Sequence, residues 1–154
     1  MNDWWGSTDG LTVCSHSALV QVGMVLPVQG RMVVARLDGA RMPDDSHVFY
    51  EFADALLVPR YFGWNWDALS DCLRDLNWLP AEQYLVVVEN AARLLSDNLA
   101  DRHTLFRMLD RAVRHWASSL GKKPVAFKVL LVCDDDQASP LRQEIANSIG
   151  PQAR

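Results

Sequence analysis

The chain has 154 residues, 49% of them hydrophobic and 22% charged, with 15 Lys+Arg against 19 Asp+Glu and a formal net charge of -4. This is ordinary globular composition with room for one domain and a real core, and it excludes a disordered chain. No stretch approaches 18 apolar residues, so no membrane-spanning helix is expected, and the mild acidity speaks against gripping phosphates over the whole surface.

Residues 1–30 hold Asp3 and Asp9 but no Lys or Arg, and an apolar run at 18–27. They read as an arm, an extra strand or a hairpin. Their start, Met1-Asn2-Asp3-Trp4-Trp5, lacks the basic flank and apolar run of a secretory signal. A clearer unit begins at Arg31. Residues 32–37 suit a strand, and Asp38-Gly39 makes a turn. Asp44, Asp45 and Ser46 are candidate caps for a helix to about residue 57, with Phe49, Phe52 and Leu56 facing the core. Pro59 closes it.

Tyr61-Phe62-Gly63-Trp64-Asn65 reads as a tight aromatic loop, with Asn65 capping a helix over 66–76. Trp66, Leu69, Leu73 and Leu76 form its apolar stripe. The continuous run 84–88 predicts a strand buried on both faces, and hence a parallel sheet. A short helix at 90–95 and a long amphipathic helix over 101–120 follow, with Gly121 as its C-cap. Residues 125–133 are the third apolar strand. A last helix is expected over 139–148, with Pro140 in its first turn. The class is α/β: a small, three-stranded, largely parallel sheet packed with helices.

Charge is unevenly distributed. Between 38 and 75 there are eight acids against Arg41, Arg60 and Arg74; between 101 and 128 seven bases face only Asp101 and Asp110. Asp67, Asp71 and Asp75 recur at i, i+4 and i+8 and so share one helix face. Each like-charge pair costs about 0.2–0.5 kcal/mol. A solvated acidic face is the plain reading. The sharper one is a docking face for a partner's cations, since carboxylates can imitate phosphates in a basic active site. Tyr61, Trp64 and Trp66 beside it are interface anchors or core packing.

Residues 59–73, Pro-Arg-Tyr-Phe-Gly-Trp-Asn-Trp-Asp-Ala-Leu-Ser-Asp-Cys-Leu, resemble the barstar family of ribonuclease inhibitors. The resemblance extends over 31–134, leaving 1–30 and 135–154 as extensions, the latter helical. It implies a barstar-like domain that plugs the active site of a small ribonuclease, and hence an immunity protein in a bacterial toxin–antitoxin pair. Tyr61, Asp67 and Asp71 match the family's binding residues, with Asp71 its dominant anchor; Cys72 matches a packing position. Ser70 stands where the family inhibitor has tryptophan. The family glutamate on the later long helix has no counterpart except Asp110.

The three cysteines, Cys14, Cys72 and Cys133, show no CxxC spacing and fit free thiols in a reducing cytoplasm. No nucleophile motif accompanies His16, His47, His103 or His115, so no enzyme is expected. Asp134-Asp135-Asp136 reads as a solvated loop and not a metal site, and no cofactor is implied. Arg107, Arg111 and Arg114 support an alternative: a regulatory module contacting nucleic acid or an acidic protein. The favoured reading is a nuclease inhibitor forming a 1:1 complex with a basic ribonuclease, without membrane association or direct nucleic-acid binding. Its binding residues would be Tyr61, Trp64, Asp67, Asp71, Arg74 and Asp75.

Overall fold

Four strands form one sheet in the order β1-β4-β3-β2, and every neighbouring pair is parallel. They are β1 (Leu11–Ser15), β2 (Met32–Asp38), β3 (Gln83–Glu89) and β4 (Ala126–Cys133) in a computed structural model that describes residues 10–18, 30–118 and 125–150. Four long helices accompany them: α1 (Asp45–Ala55), α2 (Trp66–Asp75), α3 (Leu99–Ala117) and α4 (Asp135–Ile149). Short 3-10 turns occupy Gly39–Arg41 and Ala91–Arg93.

The alternation of side chains along β3 and β4 explains their unbroken apolar runs. Tyr84, Val86, Val88, Val129 and Leu131 point to one face and share a core with the helices. Leu85, Val87, Leu130 and Val132 point to the other and join Cys14 in a separate cluster that includes no residue of α1 to α4. The four helices therefore lie in one layer on one side of the sheet. The α/β expectation holds, and the central strands are buried on both faces as parallel strands usually are.

The sheet has four strands where three were expected. The extra one is β1, whose five residues pair from Leu11↔Val129 to Ser15↔Cys133 along the edge of β4. A strand this short leaves little periodic signal; its place is fixed by pairing with residues more than a hundred positions away. At its start, a Cβ on Gly10 would collide with a carboxylate oxygen of Asp110, so only glycine allows the chain to run this close to α3.

The last helix also starts earlier than 139. Gln137 Oε1 accepts the Asp134 backbone N–H at 3.1 Å, one half of a capping box, and Asp135 and Asp136 occupy the first turn, where the helix dipole favours acids. Asp134, Asp135 and Asp136 thus open a helix instead of forming a loop. Pro140 lies inside α4 and not in its first turn. Arg142 donates to the Val13 carbonyl at 3.3 Å, while Ala138, Leu141 and Ile145 enter the main core. The segments on either side of 31–134 thus contribute directly to the sheet and its helical layer.

Other boundaries shift modestly. α1 stops at Ala55, so Leu57 stands exposed while Phe49, Phe52 and Leu56 are buried as expected. The short helix near 90 is a single 3-10 turn, and α3 begins at Leu99 with Asn98 as its cap. The expected Gly121 cap, Lys122 and Lys123 lie outside the described residues, as do 1–9 and 19–29. Among the described residues no helix is long and apolar enough to cross a membrane.

Candidate protein-binding face

The loop between α1 and α2 is built around Phe62. Its amide donates to the Pro59 carbonyl at 3.1 Å, and its ring is buried edge-on to Phe49, with centroids 6.4 Å apart. With Phe62 held inside, its neighbours turn outward: Tyr61 is 71% exposed and Trp64 is 53% exposed. Trp64 leans on the outer side of Phe62, 5.0 Å between centroids, and has a left-handed backbone with φ of 54°. For an L-residue that conformation costs about 1–2 kcal/mol, so the fold holds this indole out at some expense.

Asn65 locks the loop to the helix. Its Oδ1 accepts the Ala68 amide at 2.8 Å, and its Nδ2 donates to the Gly63 carbonyl at 3.2 Å. A Cβ on Gly63 would sit 3.2 Å from that Nδ2 and 3.3 Å from Ala68 Cβ. The close approach of loop and first turn leaves little room for a side chain there. Loss of the Asn65 cap would cost about 1 kcal/mol.

α2 buries Leu69, Cys72 and Leu73, and Leu76 closes it in a left-handed C-cap. Trp66 is half-buried, edge-on to Phe49 at 5.0 Å, so it belongs to packing and not to the outward surface. The opposite side presents Asp67, Asp71 and Asp75, all exposed and about 6 Å apart along the axis from the rise per residue. Arg74 folds back over this row, donating to Asp71 Oδ1 at 2.9 Å and to the Ser70 carbonyl at 3.3 Å. Asp67 and Asp75 make no ion pair among the described residues. The structure thus places Tyr61, Trp64, Asp67, Asp71, Arg74 and Asp75 on contiguous, outward positions of one loop and one helix.

Beneath the carboxylates, burial pushes the Cys72 thiol up, and the charges of Asp71 and Asp75 push it further. Cys14 and Cys133 are raised chiefly by burial as well. All three thiols are free, buried and held in the neutral form, the opposite of what a nucleophile needs.

The arginine-rich helix is far less available than its sequence suggests. Arg102 is buried, donating to the carbonyls of Ala92 and Leu94 at 2.8 and 3.2 Å. Its Nε lies 2.8 Å from Glu144 Oε2 but out of line for a hydrogen bond, so the contact is coulombic. Lys128 is buried too. Arg114 Nε donates to Asp110 Oδ2 at 2.8 Å, and Asp110 itself is buried. Asp110 therefore cannot supply the outward carboxylate that the family glutamate would. Arg107, Arg111 and Arg114 remain exposed on the outer side of α3.

Three of the four histidines sit beside carboxylates: His47 Nδ1 is 2.7 Å from Asp44, His103 Nε2 is 3.2 Å from Glu144 and His16 Nε2 is 3.5 Å from Asp134. The hydrogen bond from His47 holds the Asp44 carboxyl below its ordinary range.

The described residues thus form a parallel α/β domain with exposed carboxylates and aromatic rings on one outward face. Residues 32–132, about two thirds of the chain, match the family model described as Barstar (barnase inhibitor), and the chain belongs to the barstar family. Among solved structures it is similar to a chain in a Drosophila ORC complex with AT-rich DNA and Cdc6, at 14% identity and a TM-score of 0.53, covering 92% of this chain and 47% of that one. A chain in the corresponding GC-rich DNA complex matches at 14% identity and a TM-score of 0.50, covering 92% and 48%. The chain spans about half the length of these structures, and at such identity the likeness concerns the fold alone. No curated protein matches.

Sequence reasoning reached the outward residues through their helical spacing. It expected Arg74 to screen Asp71 or Asp75, and the partner is Asp71; it missed that Phe62 is the pin which turns Tyr61 and Trp64 outward. The i, i+3 spacing of Asp71 and Arg74 was the available signal for the choice of partner.

Proposed function

We propose that the chain is an inhibitor of a basic nuclease, a ribonuclease toxin in the producing bacterium's own cytoplasm, and acts as its immunity protein. The acidic side of α2 and the Tyr61–Trp64 loop seat in the nuclease active site and exclude RNA. The inhibitor performs no chemistry. Its family supports a barnase-inhibitor-like role. The observation that carries the reading is the exposed row of Asp67, Asp71 and Asp75 beside two exposed aromatic rings. Active sites that bind phosphate are lined by cations, and three carboxylates at helical spacing offer them the same charge without a scissile bond.

Asp71 is the central anchor. On binding it exchanges one guanidinium, that of Arg74, for the cations of the nuclease. Tyr61 and Trp64 supply apolar area at the rim of the carboxylate row. The arginines of α3 give the regulatory alternative less to work with, because Arg102 and Lys128 are internal and Arg114 is paired.

The test is titration of the purified chain against purified barnase-type ribonucleases and against the nuclease that co-purifies with it from its native cell. RNA cleavage should fall to zero at one inhibitor per enzyme. Asp71→Ala should weaken the complex by about 2–5 kcal/mol, or roughly 30-fold to several thousand-fold, with the fold intact. An affinity within a factor of about two of the wild type would place the interface elsewhere.

A further inference from the structure

α3 presents a charged stripe that the nuclease reading does not use. Arg107, Arg111 and Arg114 are exposed at i, i+4 and i+7 along one side of the helix. The neighbouring helix presents Asp67, Asp71 and Asp75 in the same manner. The two helices lie side by side: the Trp116 indole donates to the Leu73 carbonyl at 2.9 Å, and leucines of both enter one core against one sheet face. Each buries the side opposite its charges, so both stripes face away from the sheet.

The charges of the two stripes match in size. Arg74 offsets one of the three aspartates, and Asp110 offsets one of the three arginines, which leaves two net charges of opposite sign. No ion pair joins α2 to α3 among the described residues, so the stripes do not neutralise each other within one molecule. Two adjacent, outward stripes of equal and opposite charge are self-complementary under a two-fold rotation. That operation sets α2 of each copy against α3 of the other, and both contacts form together.

We infer that the arginine stripe of α3 is a docking surface for α2 of a second copy, and that the chain forms a reversible, salt-sensitive homodimer which covers its own acidic face. Tyr61 and Trp64, exposed at the start of α2, add apolar area to the contact. The outer sides of two helices per copy bury less than the roughly 1,600 Å² of a standard interface, so the dimer is weak and transient. It dissociates on dilution and competes with any ligand of the acidic face. The inference uses the same carboxylates as the proposed function but needs no nuclease, so either can fail while the other stands.

Sedimentation velocity of the full chain tests it at high protein concentration, in about 20 mM and about 500 mM salt. A dimer is expected at low salt and a monomer at high salt. Asp71→Arg and Arg111→Asp should each be monomeric alone. Mixed one to one they should dimerise again, because the mixed pair restores opposite charges at both contacts. Circular dichroism of each variant checks folding, and Arg107→Asp serves as a second variant of the stripe. A wild-type monomer at low salt, a dimer that survives Arg111→Asp, or a mixture that stays monomeric overturns the proposal. Binding of a labelled single-stranded oligonucleotide that Arg111→Asp abolishes, with no dimer present, assigns the stripe to nucleic acid instead.

Discussion

α2 and α3 both carry charges at helical spacing, but only α3 also takes some of its charges into the interior. On α2 the three aspartates sit on the outer side, and among the described residues only Asp71 has a partner within the molecule, an exposed arginine on the same helix. On α3 Arg107, Arg111 and Arg114 also face outward, but Arg102 and Asp110 reach inward. Arg102 ties α3 to two carbonyls of the preceding turn and to Glu144 of α4, while Asp110 lies buried under Arg114 and against Gly10 at the start of β1. A charge stabilises a fold when its hydration is replaced by fixed partners, and it serves recognition when its hydration is still there to be displaced. The difference lies in burial, not in residue type or spacing.

Substitutions that separate stability from binding probe this contrast most directly. Arg102→Met should give the largest stability loss, about 3 kcal/mol; this is the low end for breaking a buried pair, since the abandoned Glu144 is 29% exposed and rehydrates. Urea denaturation measures it, and the folded fraction should still bind nuclease with unchanged affinity. A loss of affinity in folded Arg102→Met would erase the distinction between the two helices.

Trp64→Gly should act in the opposite sense. Glycine accepts the φ of 54° without strain, so stability should stay within about 1 kcal/mol of the wild type while nuclease affinity falls about tenfold. Calorimetry on the complex and a thermal melt of the free chain report the two quantities separately. Arg74→Gln should have a smaller effect and an instructive sign. It removes the cation already sitting on Asp71, so association with a basic nuclease should speed up by about two- to threefold at low salt and match the wild type at high salt. Slower association would mean that Arg74 itself contacts the partner.

The smallest effect concerns pH. The Cys72 thiol is raised by burial and by Asp71 and Asp75, so the neutral form is favoured in the folded state. Its contribution to stability is complete below the thiol's unfolded pKa, about 8.5, and is lost as pH rises through the higher folded value. The urea midpoint should therefore fall between about pH 8 and 10, and fall less steeply in Cys72→Ala. An unchanged slope would mean that neither burial nor the carboxylate row raises this thiol in the folded state.

Much of this was legible from local pattern. The apolar runs of β3 and β4 announced a parallel sheet, since only strands covered on both faces dispense with alternation. The spacing of Leu69, Leu73 and Leu76 oriented α2, and with it the aspartates on its other side. What escaped were features fixed by distant partners. β1 is a strand because β4 offers an open edge. Asp110 is internal because Gly10 passes over it, and Arg102 is internal because two carbonyls and Glu144 converge there. Pro140 misplaced the start of α4, because its preference for a first turn is weaker than the cap provided by Gln137 and the acids before it.

The sequence by itself determined the α/β class, the family pattern around Tyr61 to Leu73 and the set of residues on the outward side of α2, because helical periodicity and apolar runs are local properties. Only the tertiary structure decided which charges stay hydrated. It drew Arg102, Asp110 and Lys128 inside and left Asp67, Asp71 and Asp75 in water, because desolvation depends on what packs above a side chain and not on its neighbours along the chain.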